Sequence, residues 1–262
     1  MQIIFNKYHG TGNDFIIIDN RKNNIDPENI SLIKHLCDRH MGIGADGLIL
    51  IYEHEAHDFE MKYFNSDGRE GSMCGNGGRC ATAFARKTGI TKGKNSFMAS
   101  DGVHKTKISG NIISISLTDT MPPANVDGNH FINTGSPHYV IYVPDSKNVD
   151  VFKRGRTIRY SEIFAPGGTN VNFVERREND IVVRTYERGV ENETLSCGTG
   201  VTAAAISSKW GNENGLYNVR ALTAGGELKV NFNIDKTIIN NIYLSGPAEF
   251  VFAGVMDIPR TG

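Results

Sequence analysis

Met73-Cys-Gly-Asn-Gly77 and Ser196-Cys-Gly-Thr-Gly200 are two copies of one pattern, their cysteines 123 positions apart (74 to 197). The same offset sets Gly12-Asn-Asp-Phe15 opposite Gly135-Ser-Pro-His138. It also sets Gly44, just before the apolar run Leu48 to Ile51, opposite Gly167, just before Val171 to Val174. One short match would be chance. Three in one register argue for a duplicated domain, and 262 residues suit two domains of roughly 100–150 residues each.

Working outward from the first cysteine, Gly75 to Gly78 opens a helix through Ala81, Phe84 and Ala85. The residues before it alternate as strands: Ile3 and Phe5, Phe15 to Ile18, Leu48 to Ile51, and Phe59, Met61, Tyr63. Asp26-Pro27 has the form of a helix start, an N-cap followed by proline, with apolar residues at 30, 32, 33, 36 and 37 forming the buried stripe. Ile113 to Leu117 is another strand, and Thr118 to Pro123 is the candidate linker. In the second half Tyr139 to Val143 and Ile181 to Val183 read as strands and Val201 to Trp210 as a helix. Val230 to Ile234, Ile242 to Leu244 and Phe250 to Val255 close the chain as strands. The fold class predicted is α/β with mixed sheets, in two related halves.

The repeated loop has a chemistry of its own. Each cysteine stands where glycines lead into a helix, so unpaired backbone N–H groups and the helix dipole make its surroundings electropositive. A thiol in such a place ionises below its usual value of about 8.5. The same N–H groups can hold a carboxylate, and glycine leaves them open to it. Two such loops across a cleft would put one sulfur on each side of a carbon next to a bound carboxylate. One thiolate would remove the α-proton and the opposite thiol would return one to the other face, inverting the centre. Donors aimed at the carboxylate would hold the charge that builds up there. Nothing in the sequence assigns a lysine to a pyridoxal cofactor, so no cofactor is expected.

Other readings are weaker. Cys37 lies on its helix's apolar stripe and Cys80 on the helix after Cys74, so both read as core. Cys74 and Cys80 are six apart with no Cys-x-x-Cys and no matching histidine pair, which disfavours zinc; no metal site is expected. Gly42-Ile-Gly-Ala-Asp-Gly47 matches a dinucleotide fingerprint, but it follows a helix and precedes a strand, the reverse of the required order. The chain has 28 Lys plus Arg against 29 Asp plus Glu, a balance that points to neither nucleic acid nor a membrane surface. The basic cluster Lys153, Arg154, Arg156 and Arg159 has no aromatic platform and reads as a solvated face. No apolar run approaches a membrane span, and MQIIFNKYHG lacks the parts of a secretory signal; a cytoplasmic protein with reduced thiols is expected. A non-enzymatic role, with Cys74 and Cys197 forming a reversible disulfide, would leave the carboxylate cradle beside each sulfur unexplained.

Several motifs together resemble the diaminopimelate epimerase family over nearly the whole chain. They are His9-Gly-Thr-Gly-Asn-Asp-Phe15, Phe64-Asn65, Met73 to Gly77, Gly135 to His138, Asn170 with Asn172-Phe173, Tyr186-Glu-Arg-Gly189 and Ser196 to Gly200. The resemblance implies interconversion of LL- and meso-diaminopimelate, a step toward lysine and peptidoglycan, in a protein that is commonly a homodimer. It implies two similar domains, each a strand-rich wrap around a central helix, with the last strand returning to the first domain. The domains expected are thus 1–118 plus 250–262, and 119–249. By position, Cys74 and Cys197 would be catalytic, with His138 and Glu187 assisting their ionisation. Gly75, Asn76, Gly198 and Thr199 would hold the carboxylate at the reacting centre. Asn13, Asn65, Asn170, Glu187 and Arg188 would hold the substrate's amino and carboxylate groups. Arg188 suits a carboxylate because guanidinium presents two parallel donors. Many members carry Gln where this chain has Gly47 and Asn where it has Ser136. A proline or hydroxyproline racemase-type reaction is the nearest alternative, but a ring substrate with one amino-acid group would not need so many polar residues.

Overall fold

The computed structural model describes residues 2–258. Met1 and residues 259–262, which belong to the expected first domain, lie outside the described residues. The chain divides into two compact units, Met1–Ile115 with Pro247–Gly262, and Ser116–Gly246.

The first unit contains β1 (Gln2–Gly10), β2 (Asn13–Asp19), α1 (Ile30–Cys37), β3 (Gly47–Tyr52), β4 (Phe59–Asn65), α2 (Gly75–Lys87), β5 (Ser96–Ala99), β6 (Gly102–Ser109) and β7 (Ile112–Ser116). The hairpin β1–β2 turns through Thr11 and Gly12, both at positive φ (51° and 85°), the combination whose twist suits a two-residue hairpin. β2 runs parallel to β3, β3 antiparallel to β4, β4 parallel to β5, and β5–β6–β7 form an antiparallel run. α2 packs against β1, β2, β3 and β4, and Gly75 to Thr82 is buried without interruption. Small residues make that possible. A Cβ on Gly78 would come within 3.0 Å of Met73 and of the Phe97 ring.

The second unit contains β8 (Ala124–Val126), β9 (Asn129–Asn133), β10 (Pro137–Tyr142), α3 (Val151–Arg159), β11 (Asn170–Arg176), β12 (Asp180–Glu187), β13 (Asn192–Thr194), α4 (Gly198–Lys209), β14 (Gly215–Thr223), β15 (Gly226–Asp235) and β16 (Ile238–Pro247). α4 is its buried helix, contacted by β9, β10, β11, β12, β14 and β15. The repeat extends to strand register. Phe15 pairs with Gly47 across the parallel β2–β3 ladder, and His138 pairs with Asn170 across the parallel β10–β11 ladder, both residues moved by the same 123 positions. The last strand, β17 (Glu249–Asp257), lies antiparallel to β1 in the first unit.

Three details differ from expectation. α1 begins at Ile30, capped by Asn29, whose side chain accepts the Leu32 N–H at 3.0 Å. Asp26 caps only a short turn, accepting the Glu28 N–H. Residues 118–123 are not a free linker, because Thr120 exchanges two backbone hydrogen bonds with Ile239. The basic cluster at 153–159 is a helix, α3, that the sequence did not announce. Its central Gly155 discourages a helical reading, yet a Cβ there would lie 2.4 Å from Tyr186, so glycine is what lets the helix lie on β12. Among the described residues no helix is long and apolar enough to cross a membrane, which says nothing of β-barrels.

Candidate active site

Both repeated cysteines are helix N-caps with extended backbones: Cys74 (φ −105°, ψ 118°) on α2 and Cys197 (φ −117°, ψ 111°) on α4. Residues 75 and 76, like 198 and 199, therefore occupy the first turn, where N–H groups have no partner inside the helix. The Gly77 N–H points at Cys74 Sγ, 3.4 Å away.

In the first unit three predicted residues meet. Asn13 Oδ1 accepts from Asn76 Nδ2 at 3.2 Å and from Cys74 Sγ at 3.7 Å. Asn13 Nδ2 donates to Asp46 at 2.8 Å, and Asp46 is tied through Arg39 to Asp14. Lys7 and Arg39 both pair with Asp14, whose carboxyl is held down at about 2 by these cations against the opposing effect of its burial. An ionic network thus fixes the orientation of the Asn13 amide. Asn65 stands exposed at the end of β4, opposite Gly47 on β3. Gly47 has no room for a side chain. A Cβ would lie 2.5 Å from the Tyr63 ring and 2.6 Å from the Phe64 carbonyl oxygen, so the glutamine that the resemblance would put here has its space filled by Tyr63.

In the second unit a hydrogen-bonded chain ends at the sulfur. Thr185 Oγ1 donates to Asn172 Oδ1 at 2.9 Å, which directs Asn172 Nδ2 to donate to His138 Nδ1 at 3.1 Å. His138 then carries its proton on Nε2 and donates to Thr199 Oγ1 at 2.9 Å, and the Thr199 hydroxyl, free to donate onward, lies 3.6 Å from Cys197 Sγ. Burial, helped by the nearby Arg188 charge, holds the His138 imidazole down at about 3, so the ring is neutral. A Cβ on Gly200 would lie 2.5 Å from Asn172 Oδ1, which ties that glycine to the chain.

Asn170 uses both amide hydrogens locally, on Ser136 Oγ and the Pro137 carbonyl, and its Oδ1 accepts the Arg188 N–H. Ser136 thus serves as its acceptor. Arg188 Nη1 donates to the Gly167 carbonyl at 3.3 Å, and Glu187 accepts from Thr194 Oγ1 at 2.9 Å. Asn172 and Thr185 were not among the residues picked out for a role. The strand period of two that places Asn172 on the same face of β11 as Asn170 was the available signal. Among the described residues no group of His, Cys, Asp and Glu is arranged to hold a metal.

The family model for diaminopimelate epimerase matches residues 5–117 and 130–251. A Flavobacterium psychrophilum protein named diaminopimelate epimerase is 50% identical over 249 residues, covering 94% of this chain and 97% of that one. An Aquifex aeolicus protein of the same name is 42% identical over 271 residues, covering 95% and 96%. Among solved structures, a Bacillus anthracis phenazine biosynthesis protein of the PhzF family superposes with a TM-score of 0.76 at 16% identity, covering 98% of this chain and 100% of that one. An Agrobacterium vitis hydroxyproline epimerase does so at 0.73 and 12%, covering 97% and 92%. At those identities the two structures speak to the fold alone, an α/β architecture of two similar domains. With a family match over most of its length and relatives at 42% and 50% identity, the chain belongs to the diaminopimelate epimerase family, a family of isomerases.

Proposed function

We propose that this protein interconverts LL- and meso-diaminopimelate without a cofactor, using Cys74 and Cys197 as paired acid and base, and so serves lysine and peptidoglycan precursor synthesis in the cytoplasm. The observation that carries this reading is the duplicated cysteine N-cap at the start of α2 and of α4. The domains at 1–118 plus 250–262 and at 119–249 would each contribute one such loop. The thiolate takes the α-proton and becomes a thiol. The opposite thiol gives its proton to the other face of the planar carbanion and becomes the thiolate, so charge and protons balance.

The amides of Gly75, Asn76, Gly198 and Thr199 stabilise the charge that spreads onto the substrate carboxylate. Asn13, its orientation fixed through Asp46, presents a carbonyl to Cys74 and the substrate ammonium. Asn65, Glu187 and Arg188 hold the substrate's amino and carboxylate groups. Asn170 acts chiefly by holding Arg188's backbone, since its amide hydrogens are committed. His138 supports Cys197 as a fixed donor through Thr199 rather than as a base, because its ring stays neutral across the physiological range. Glu187, which accepts from Thr194, would attract the substrate ammonium.

Incubation of the reduced protein with LL-diaminopimelate in heavy water tests the scheme. The meso product should carry one deuterium, at the inverted α-carbon, while proline and hydroxyproline remain unlabelled. Labelled proline, or no labelled product at all, would defeat the assignment.

We also infer a homodimer, supported by an apolar face on β17 and β1. Ile4 and Val255 are cross-strand partners and are 70% and 60% exposed. Val251 on the same strand is 51% exposed. The double variant Val251→Lys/Val255→Lys should sediment as a monomer where the parent sediments as a dimer. A parent that is monomeric at micromolar concentration removes the inference.

A further inference from the structure

We propose that the buried guanidinium of Arg79 is the counter-charge to a thiolate on Cys74, a positioning residue that makes residue 74 rather than 197 the resting base. This deepens the two-thiol reading by saying which sulfur is ionised before substrate arrives.

Arg79 lies on α2 with no exposed surface. Its Nη1 reaches back to the Gly75 carbonyl, 3.4 Å away, so the cation sits against the first turn of the helix that Cys74 caps. Nη2 lies 3.0 Å from where a Cβ on Gly10 would stand, closed in by the end of β1. Nε and Nη2 have no hydrogen-bond partner. A cation held dry with two idle donors is costly unless an anion stands nearby.

The candidates for that anion are few. The ionisable groups whose charge would bear on Arg79 are Cys80 and Cys74, and burial brings its own value down to about 10, which still leaves it protonated. Cys80 is fully buried and its thiol is pushed well up by burial, so it stays neutral. Tyr8 on β1 is pushed up to about 12 by burial and stays neutral too. Asp14 on β2 is already paired with Lys7 and Arg39. Glu249 on β17 is half exposed and faces His9 at 3.7 Å. Cys74 is the remaining group; as a thiol it donates to Asn13 Oδ1 at 3.7 Å, a long contact that ionisation gives up.

The second unit lacks this device. The position equivalent to Arg79 under the 123-residue offset is Thr202, a buried hydroxyl satisfied by the Gly198 carbonyl at 2.9 Å. At this position of the repeat the first unit carries a buried cation and the second a neutral hydroxyl.

The test is site-resolved alkylation with iodoacetamide across pH, read by mass spectrometry. In Cys197→Ser the midpoint of Cys74 should lie at least about one pH unit below that of Cys197 in Cys74→Ser. Arg79→Met in the Cys197→Ser background should raise the Cys74 midpoint by about one unit or more, and Arg79→Lys should restore part of the drop. A Cys197 midpoint equal to or below that of Cys74 overturns the proposal, and needs no Arg79 variant to fold. An unmoved Cys74 midpoint in a folded Arg79→Met also overturns it. Because alkylation does not depend on turnover, either result leaves the heavy-water experiment to judge the reaction itself.

Discussion

Cys74→Ala and Cys197→Ala will each lower the rate of diaminopimelate epimerisation by about 10²–10⁴-fold or more, in both directions. In the proposed scheme each sulfur is the base for one direction and the acid for the other, so neither loss would be confined to one isomer. The structure separates this effect from damage to the fold. The capping contact that Cys74 Sγ accepts from the Gly77 N–H is long, at 3.4 Å, and the Cys197 side chain makes no capping bond to α4. Alanine keeps the extended cap backbone, so the loss of stability should be at most about 1 kcal/mol. Steady-state rates beside thermal melts will check it. Turnover within a few-fold of the parent in either variant would remove that sulfur from the chemistry.

Gly47→Gln, the residue that the resemblance favours at this position, will destabilise this protein by about 1–3 kcal/mol. The added Cβ would meet the Tyr63 ring at 2.5 Å and the Phe64 carbonyl at 2.6 Å. The ring is itself wedged. It packs edge-on to Phe15 with centroids 6.0 Å apart, and a Cβ on Gly71 would meet its other edge at 2.7 Å. Tyr63→Ala added to Gly47→Gln should recover part of the loss and not all, because the carbonyl belongs to the paired strand and stays. Urea unfolding of the two single variants and the double variant measures the coupling. A Gly47→Gln protein as stable as the parent would mean that β3 and β4 separate freely at this point.

The two cysteine loops and their shared offset carried the duplication, and the helices they open were visible because glycine, cysteine and small residues stand together there. What escaped was of a different physical kind. α1 starts three residues late because Asn29 is as good a cap as Asp26, and two competent caps in a row leave the choice to packing. α3 was hidden because Gly155 is there for the sake of Tyr186, a tertiary contact that local preference cannot express. Asn172 and Arg79 look like ordinary polar residues in the chain. Their meaning comes from burial, which turns one into a link in a chain of donors and the other into a cation with idle hydrogens. The role of Ser136 as an acceptor for Asn170 depends on the β10–β11 register and could not be read beforehand.

The antiparallel seam between β1 and β17 also bears on how the chain is made. The second unit is one unbroken stretch, Ser116–Gly246, whereas the first needs a strand translated after it. During vectorial synthesis the amino-terminal half emerges first yet must wait, with the outer edge of β1 unsatisfied, until the ribosome has delivered the other half entire. Nascent chains stalled before residue 249 should therefore be the aggregation-prone and chaperone-dependent species, with protection arriving as the final strand docks.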